Sequence, residues 1–174
     1  MAQLYFLPYS ASYPSAGDYK QRLQDTYSGY KSRYIDSYAT GLVHDPSKAD
    51  DPGTPGFNED DWATSEGVGY GLTRALYQND QAYFDKILDA TYTYMYNKNG
   101  KGLFTSKVDK NGNIDPSDKD SATDADIIIT LALIFADTLV KKGHWANTGR
   151  NYGGKAQNLI NAIYANDIES GRYL

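Results

Sequence analysis

The chain has no cysteine among its 174 residues. That removes a disulfide framework, a thiolate metal site and a cysteine nucleophile together. Histidine is scarce as well. His44 and His144 stand 100 positions apart, and neither has a second ligand at a helical spacing, so the sequence offers no zinc site. Basic residues are outnumbered: 17 Lys and Arg against 22 Asp and Glu give a net charge of −5 and an isoelectric point near 4.9. A phosphate backbone is gripped by a basic stripe, and none is present, so nucleic acid is not an expected partner. No apolar run approaches the length of a membrane span, and no membrane partner is expected. Met1 to Ala16 lacks the basic start and continuous apolar stretch of a signal peptide. No motif implies a cofactor.

What the chain has in quantity is tyrosine, 17 of them beside 5 Phe and 2 Trp. A tyrosine ring has an apolar face and a polar tip, so it suits both the half-buried skin of a domain and the walls of a wet groove. Ordinary amphipathic packing accounts for most of them. A sugar ring, whose C–H groups stack on such faces, is a ligand for the rest. With 40% hydrophobic and 22% charged residues, the chain is a globular one with enough apolar material for a core.

The hydrophobic pattern predicts an almost entirely helical chain. Residues 1–17 are rich in Tyr, Pro and Ser and read as an extended arm. From Asp18, the residues Tyr19, Leu23, Tyr27, Tyr30 and Tyr34 fall on one helical face, and Gly41 ends that region. Asp45 to Asp61 holds Pro46, Pro52, Pro55, Gly53 and Gly56 and reads as a long loop of the kind that often carries function. A second helix begins near Ser65, with Val68, Leu72, Ala75 and Leu76 on one side. A third runs from about Asp80 through Phe84, Ile87, Leu88, Thr91 and Met95. Residues 97–102 form a turn, 103–108 a short strand and 109–120 a loop. The fourth helix, from about Ser121 to Lys142, is apolar nearly all round, which predicts burial on most sides. A fifth follows Gly154, with Ala156, Leu159, Ile160 and Ile163. Buried helices alternating with amphipathic ones imply concentric layers.

Two segments carry chemistry. In Thr64-Ser65-Glu66-Gly67-Val68-Gly69-Tyr70-Gly71 a carboxylate opens a helix and three alternating glycines follow. A first-turn Glu has a bland explanation, because the helix dipole and capping favour it. The glycines do not, since each costs about 1 kcal/mol inside a helix relative to Ala. They call for a close backbone approach, by a ligand or by a neighbouring helix. In Ser121-Ala122-Thr123-Asp124-Ala125-Asp126 the first and fourth residues have capping-box spacing. The second Asp, on a helix with almost no polar face, is expected to point into a polar cavity. If the two helix starts meet, they form an acidic cleft with no metal or thiol. Glycoside hydrolysis requires such a cleft: a proton donor on one side of the bond and a base on the other.

These residues resemble glycoside hydrolase family eight, the bacterial endoglucanases, chitosanases and related xylanases. Ser65-Glu66-Gly67-Val68-Gly69-Tyr70-Gly71 is similar to its proton-donor motif. Ala122-Thr123-Asp124-Ala125-Asp126 is similar to its second signature, followed by Ala132-Leu133-Ile134 and Ala136 at family-like spacing. The similarity runs from about Tyr30 to the C-terminus. The resemblance implies an all-α fold, an (α/α)6 barrel of six inner and six outer helices, and an inverting reaction on a β-1,4-linked polysaccharide. Glu66 would be the general acid. Asp124 would hold the sugar at the central subsite and tune Glu66. Tyr70, Trp62, Phe104 and Asp126 are the substrate-binding candidates, Phe104 lying in the segment where the family often has a Trp. Thr130 stands where the signature usually has Ala. The resemblance also implies a secreted protein.

Length sets a further expectation. Twelve helices of about 12 residues with connections of about 6 need more than 200 residues. The chain is therefore expected to be one incomplete catalytic domain holding about the first half of the barrel. The base would come from a missing C-terminal part, and the chain would self-associate or pair with a complementary half-barrel. The alternative is a non-catalytic carbohydrate-binding or interaction domain derived from the same fold. Asp109, Asn111, Asn113, Asp115, Ser117 and Asp120 sit at EF-hand-like positions, but Ile114 occupies the place where the calcium loop needs Gly. A solvated Asn-Gly turn is the expectation there, with no metal.

Overall fold

The computed structural model describes residues 16–46, 61–116 and 119–168. Five α-helices dominate: α1 (Ala16–Lys31), α2 (Ser65–Tyr77), α3 (Gln81–Tyr94), α4 (Thr123–Lys141) and α5 (Tyr152–Ile163). One π-helical stretch, Ser32–Asp36, continues α1, and another, Tyr164–Ile168, continues α5. Two short antiparallel strands, β1 (Ala63–Thr64) and β2 (Lys107–Val108), pair Ala63 with Val108 and Thr64 with Lys107. The arm expected over 1–17 lies outside the described residues as far as residue 15, and residues 16 and 17 already belong to α1. Of the Pro- and Gly-rich loop, residues 47–60 lie outside as well.

The core follows the predicted periodicities. Val68, Leu72 and Ala75 of α2, and Phe84, Ile87, Leu88 and Thr91 of α3, are buried. The helix starts are capped by short polar side chains, which satisfy N–H groups that have no partner within the helix. Thr64 Oγ1 accepts from Gly67 N at 3.1 Å, Asp80 Oδ1 from Tyr83 N at 3.1 Å, and Asn151 Oδ1 from Gly154 N at 3.2 Å. Asn151 holds a left-handed backbone to do so, and α5 starts at Tyr152, ahead of the start expected after Gly154.

Helix α2 packs against α4, α3 packs against α2, and α5 packs against α4. α1 reaches α2 and the start of α3. Lys31 of α1 bonds Asp80 at 3.1 Å, and Arg74 of α2 stacks 4.5 Å over the ring of Tyr30. Polar anchors join α3 to α5. Arg150 bonds Asp85 at 2.9 Å and Asp89 at 2.7 Å, and the Tyr152 hydroxyl donates to Asp85.

Two of the three glycines of α2, Gly69 and Gly71, are explained by neighbouring protein. A methyl group at Gly69 would sit 2.9 Å from Cγ2 and 3.3 Å from Cβ of Ile128 on α4. One at Gly71 would sit 2.5 Å from Val43 Cγ2. The backbone of α2 thus rests on α4 on one side and on Val43 on the other, closer than any side chain allows.

The expected burial of α4 is incomplete. It is covered where it meets α2 and α5, but Ile127, Leu131, Ile134 and Phe135 on its remaining side are exposed, Phe135 by 60%. Tyr70 and Tyr77 of α2, Ile160 of α5, and Tyr164 and Ile168 of the π-helical stretch that continues it extend the same apolar surface. Its all-round hydrophobicity exceeds what five helices can bury.

The glycine argument has opposite consequences at two positions. Gly29, inside α1, has no atom within 4 Å of an added methyl, so Gly29→Ala is expected to stabilise by up to about 1 kcal/mol. Gly69→Ala gains the same propensity but overpacks the α2–α4 contact at a cost of about 1–3 kcal/mol. Urea midpoints of the two variants should therefore move in opposite directions.

Candidate active site

The two acidic helix starts lie at the same end of two parallel helices. Gly69 meets Ile128 near those starts, and farther along Leu76 and Tyr77 share a groove with Phe135 and Leu139. The groove encloses about 660 Å³ and has mainly apolar walls. Its end nearest the helix starts is formed by Tyr70, four residues beyond Glu66, and by Ile128, four residues beyond Asp124. Four residues is one helical turn, so Glu66 and Asp124 stand just beyond this end of the groove, on adjoining helices.

Each start is held by the segment 103–108. Ser65 N donates to Ser106 O at 2.9 Å, and β1 pairs with β2, which fixes the entry to α2. Phe104 N donates to Asp126 Oδ1 at 3.1 Å, which fixes the first turns of α4 against the same segment. Glu66 is half-buried in the first turn of α2. Asp124 is exposed in the first turn of α4. Ala122 is the N-cap of α4 and no side chain caps it, so the capping box expected between Ser121 and Asp124 does not form. Asp124 is thereby left without that structural duty.

The four substrate-binding candidates separate. Tyr70 is 63% exposed and walls the groove. Trp62 is half-buried beside β1, with the Lys107 ammonium 5.4 Å from its ring centre. Phe104 is corrected: it is 0% exposed, with its ring against Tyr92 and Tyr96, and a ring with no free face cannot stack on a sugar. Asp126 is corrected for the same reason. It is 0% exposed and faces core in place of the expected polar cavity, one oxygen bonded to Phe104 N and the other without a partner among the described residues.

Burial pushes the Asp126 carboxyl up to about 7, the Phe104 N–H pulls it back, and the negative charges of Asp167 and Asp124 add to the rise. The charged form loses its hydration inside the core, and one N–H does not replace it.

Sequence reasoning missed His44. It is buried beneath the ring of Tyr38, at 4.0 Å between ring centres, and pairs with Ala63 at the mouth of β1. Its Nδ1 contacts Asp61 O at 2.5 Å and its Nε2 contacts Thr40 Oγ1 at 2.6 Å. A carbonyl only accepts, so Nδ1 carries the proton and the bare Nε2 accepts from Thr40. Burial lowers its pKa, which keeps the ring neutral. A lone His with no partner nearby in sequence gives no signal of this role.

Among the described residues, no group of three or more His, Asp or Glu is arranged to hold a metal ion. In the EF-hand-like loop, the Asp109 carboxylate accepts from Asn111 N, Asn113 N and Asn113 Nδ2, and Lys107 bonds Asp115 at 3.3 Å. No helix among the described residues is long and apolar enough to cross a membrane.

The family model described as glycosyl hydrolases family 8 matches residues 11–174. The chain belongs to that family. Endoglucanase A of Acetivibrio thermocellus is 44% identical over 114 residues, which is 63% of this chain and 22% of that protein. Endoglucanase C of Ruminiclostridium cellulolyticum is 38% identical over 112 residues, 63% of this chain and 23% of that one. Among solved structures, a reducing-end-xylose releasing exo-oligoxylanase superimposes with a TM-score of 0.66 at 20% identity, over 88% of this chain and 39% of that one. The endoglucanase Cel10 of Klebsiella pneumoniae superimposes with a TM-score of 0.61 at 21% identity, over 81% and 39%. The chain thus spans under a quarter of these curated relatives and about two fifths of these solved structures. Its five helices are part of an (α/α)6 barrel.

The contrast between buried Phe104 and exposed Tyr70 can be checked by stability alone. Phe104→Ala is expected to cost about 3–5 kcal/mol, as for a large ring removed from a core. Tyr70→Ala, at an exposed position, should cost less than about 1 kcal/mol. Urea unfolding of both variants measures the difference.

Proposed function

We propose that this chain carries the acid half of an inverting, endo-acting glycoside hydrolase that cleaves a β-1,4-linked polysaccharide. A β-glucan such as cellulose is the preferred substrate, in line with the names of its curated relatives, with chitosan or xylan as other members of the class. The observation that carries the reading is the pair of acidic helix starts, Glu66 and Asp124, at one end of two touching parallel helices. In this reading Glu66 gives its proton to the glycosidic oxygen. The C1–O bond breaks and its electron pair leaves with that oxygen. A water attacks C1 from the opposite face and loses its proton to a second carboxylate, so the anomeric configuration inverts. Asp124 binds the sugar at the cleavage point, and Tyr70 and Trp62 offer ring faces to neighbouring sugars.

An inverting pair is separated by roughly 6.5–9.5 Å to admit the water. We assign the second carboxylate to a part of the barrel outside these 174 residues. Two observations favour this: the chain spans about two fifths of its solved relatives, 39% of Cel10, and α4 has an open apolar face. The residues here act as one catalytic domain only with that remainder, whose inner helices would cover Ile127, Leu131, Ile134 and Phe135. A polymeric substrate places the complete enzyme outside the cell.

Two measurements test the proposal. In the completed barrel, Glu66→Gln keeps size and hydrogen bonding but removes the acid. Reducing-sugar release from soluble β-glucan is expected to fall at least ~100-fold, and near-normal turnover in a folded variant would reject the assignment. For the chain alone, sedimentation is expected to detect self-association through the open α4 face. Adding the remaining part of the barrel should replace those species with a 1:1 complex that hydrolyses the glycan. A monomeric, fully active 174-residue chain would overturn the half-barrel reading, and a complex that binds glycan without cleaving it would favour a binding domain.

A further inference from the structure

The mechanism above leaves unused the fully buried carboxyl of Asp126. We propose that Asp126 is a positioning residue whose buried carboxyl ties the start of α4 to the segment 103–106, and through that segment to the start of α2 beside Glu66.

The path is continuous. Asp126 Oδ1 accepts from Phe104 N at 3.1 Å. Phe104 cannot slide, because its ring is enclosed by Tyr92 and Tyr96 and its neighbour Thr105 N donates to Met95 O at 3.0 Å. Two residues on, Ser106 O accepts from Ser65 N at 2.9 Å, and Ser65 immediately precedes Glu66. On the other side, Asp126 N donates to Ala122 O at 3.0 Å and Thr130 Oγ1 donates to Asp126 O at 2.7 Å, so Asp126 is seated firmly in α4, two residues from Asp124. One carboxyl therefore bears on both members of the acidic pair. An apolar residue here would pack as well but leave Phe104 N buried without an acceptor.

The surroundings of that carboxyl favour its protonated form. Among the described residues, Asp126 Oδ2 has no partner, nor do the buried hydroxyls of Thr105 and Ser106 in the segment it holds. Among the described residues, the charges that reach Asp126 are both negative, Asp167 in the π-helical stretch that continues α5 and Asp124 on its own helix, while segment 103–106 contributes none. Burial raises the carboxyl from 3.8 to about 7 in the folded chain. Between those values the folded chain holds a proton that the unfolded chain has released, so stability falls as pH rises through the window. The neutral acid is the form that suits the core.

The test is residue-resolved amide hydrogen exchange on the full chain, as wild type, Asp126→Asn and Asp126→Ala. It needs no hydrolysis, so its failure is distinct from failure of the Glu66 assignment. In Asp126→Ala the amides of Phe104 and Ser65 are expected to exchange at least about ten-fold faster, the scale of a lost hydrogen bond to a buried carboxyl. Leu88 in α3 and Leu159 in α5 should keep their rates. Asp126→Asn, which retains an acceptor oxygen, should keep Phe104 and Ser65 protected. In wild type the Phe104 amide resonance should titrate with a midpoint well above the ordinary carboxyl range, and in Asp126→Asn that inflection should vanish. Acceleration at Phe104 without Ser65 would show that the tether does not reach α2 and would overturn the proposal. Equal acceleration at all four amides would reduce Asp126 to a general stabiliser and overturn it equally. If the Ala variant fails to fold, a wild-type Phe104 amide that does not titrate, or a Ser65 amide left unprotected in Asp126→Asn, overturns it.

Discussion

The structure depends on how closely α2 can approach α4. Gly69 has no side chain to hold Ile128 away, and that absence sets the distance between the two helices that carry Glu66 and Asp124. Three glycines in one helix forgo about 3 kcal/mol of intrinsic propensity. The two whose methyl positions are filled by neighbours recover that loss through contact with α4 and with Val43. The site geometry is thus a packing consequence before it is a chemical one. Two parallel helices pressed together bring their positive ends side by side, and such ends favour carboxylates.

A second constraint is how the helix starts are fixed. Backbone groups at a helix N-terminus are unsatisfied and free to choose partners. Here they are recruited by a strand-like segment whose own core residue, Phe104, cannot move. Thr64 caps α2, whereas α4 has no side-chain cap and relies on Asp126 one turn inside. Burying a carboxyl with one hydrogen bond is costly. It is tolerated where the same group joins the start of α4 to the segment that also holds the start of α2.

The apolar face of α4 has a different meaning. A helix that is hydrophobic all round belongs among other helices. Here it has α2 and α5 beside it and open surface on the remaining side. A groove walled by Tyr70, Tyr77 and Phe135 next to an acidic helix end resembles a sugar cleft. It is equally what remains of a barrel interior when part of the barrel is absent. The fraction of the related structures that the chain spans, near two fifths, agrees with the second description.

Much of this was legible in the amino-acid order, because local rules govern it. The periods of Val68-Leu72-Ala75 and Phe84-Ile87-Leu88-Thr91 placed α2 and α3, and the Glu66 and Asp124 motifs identified the family. The glycines of α2 announced a close approach. The sequence by itself determined the helices, their inward faces and the acidic starts. Only tertiary structure decided what lay across from each. It filled the space beside Gly69 with Ile128 and not with a ligand, enclosed Phe104 between tyrosines, and drew Asp126 into the core while leaving Asp124 outside. It also gave His44 two hydrogen-bonding partners, one of them 17 positions away in the chain. The physical reason is the same in each case. Periodicity says which side of a helix faces inward, but burial, hydrogen bonding and charge depend on residues that are distant in sequence and become neighbours only when the chain has folded.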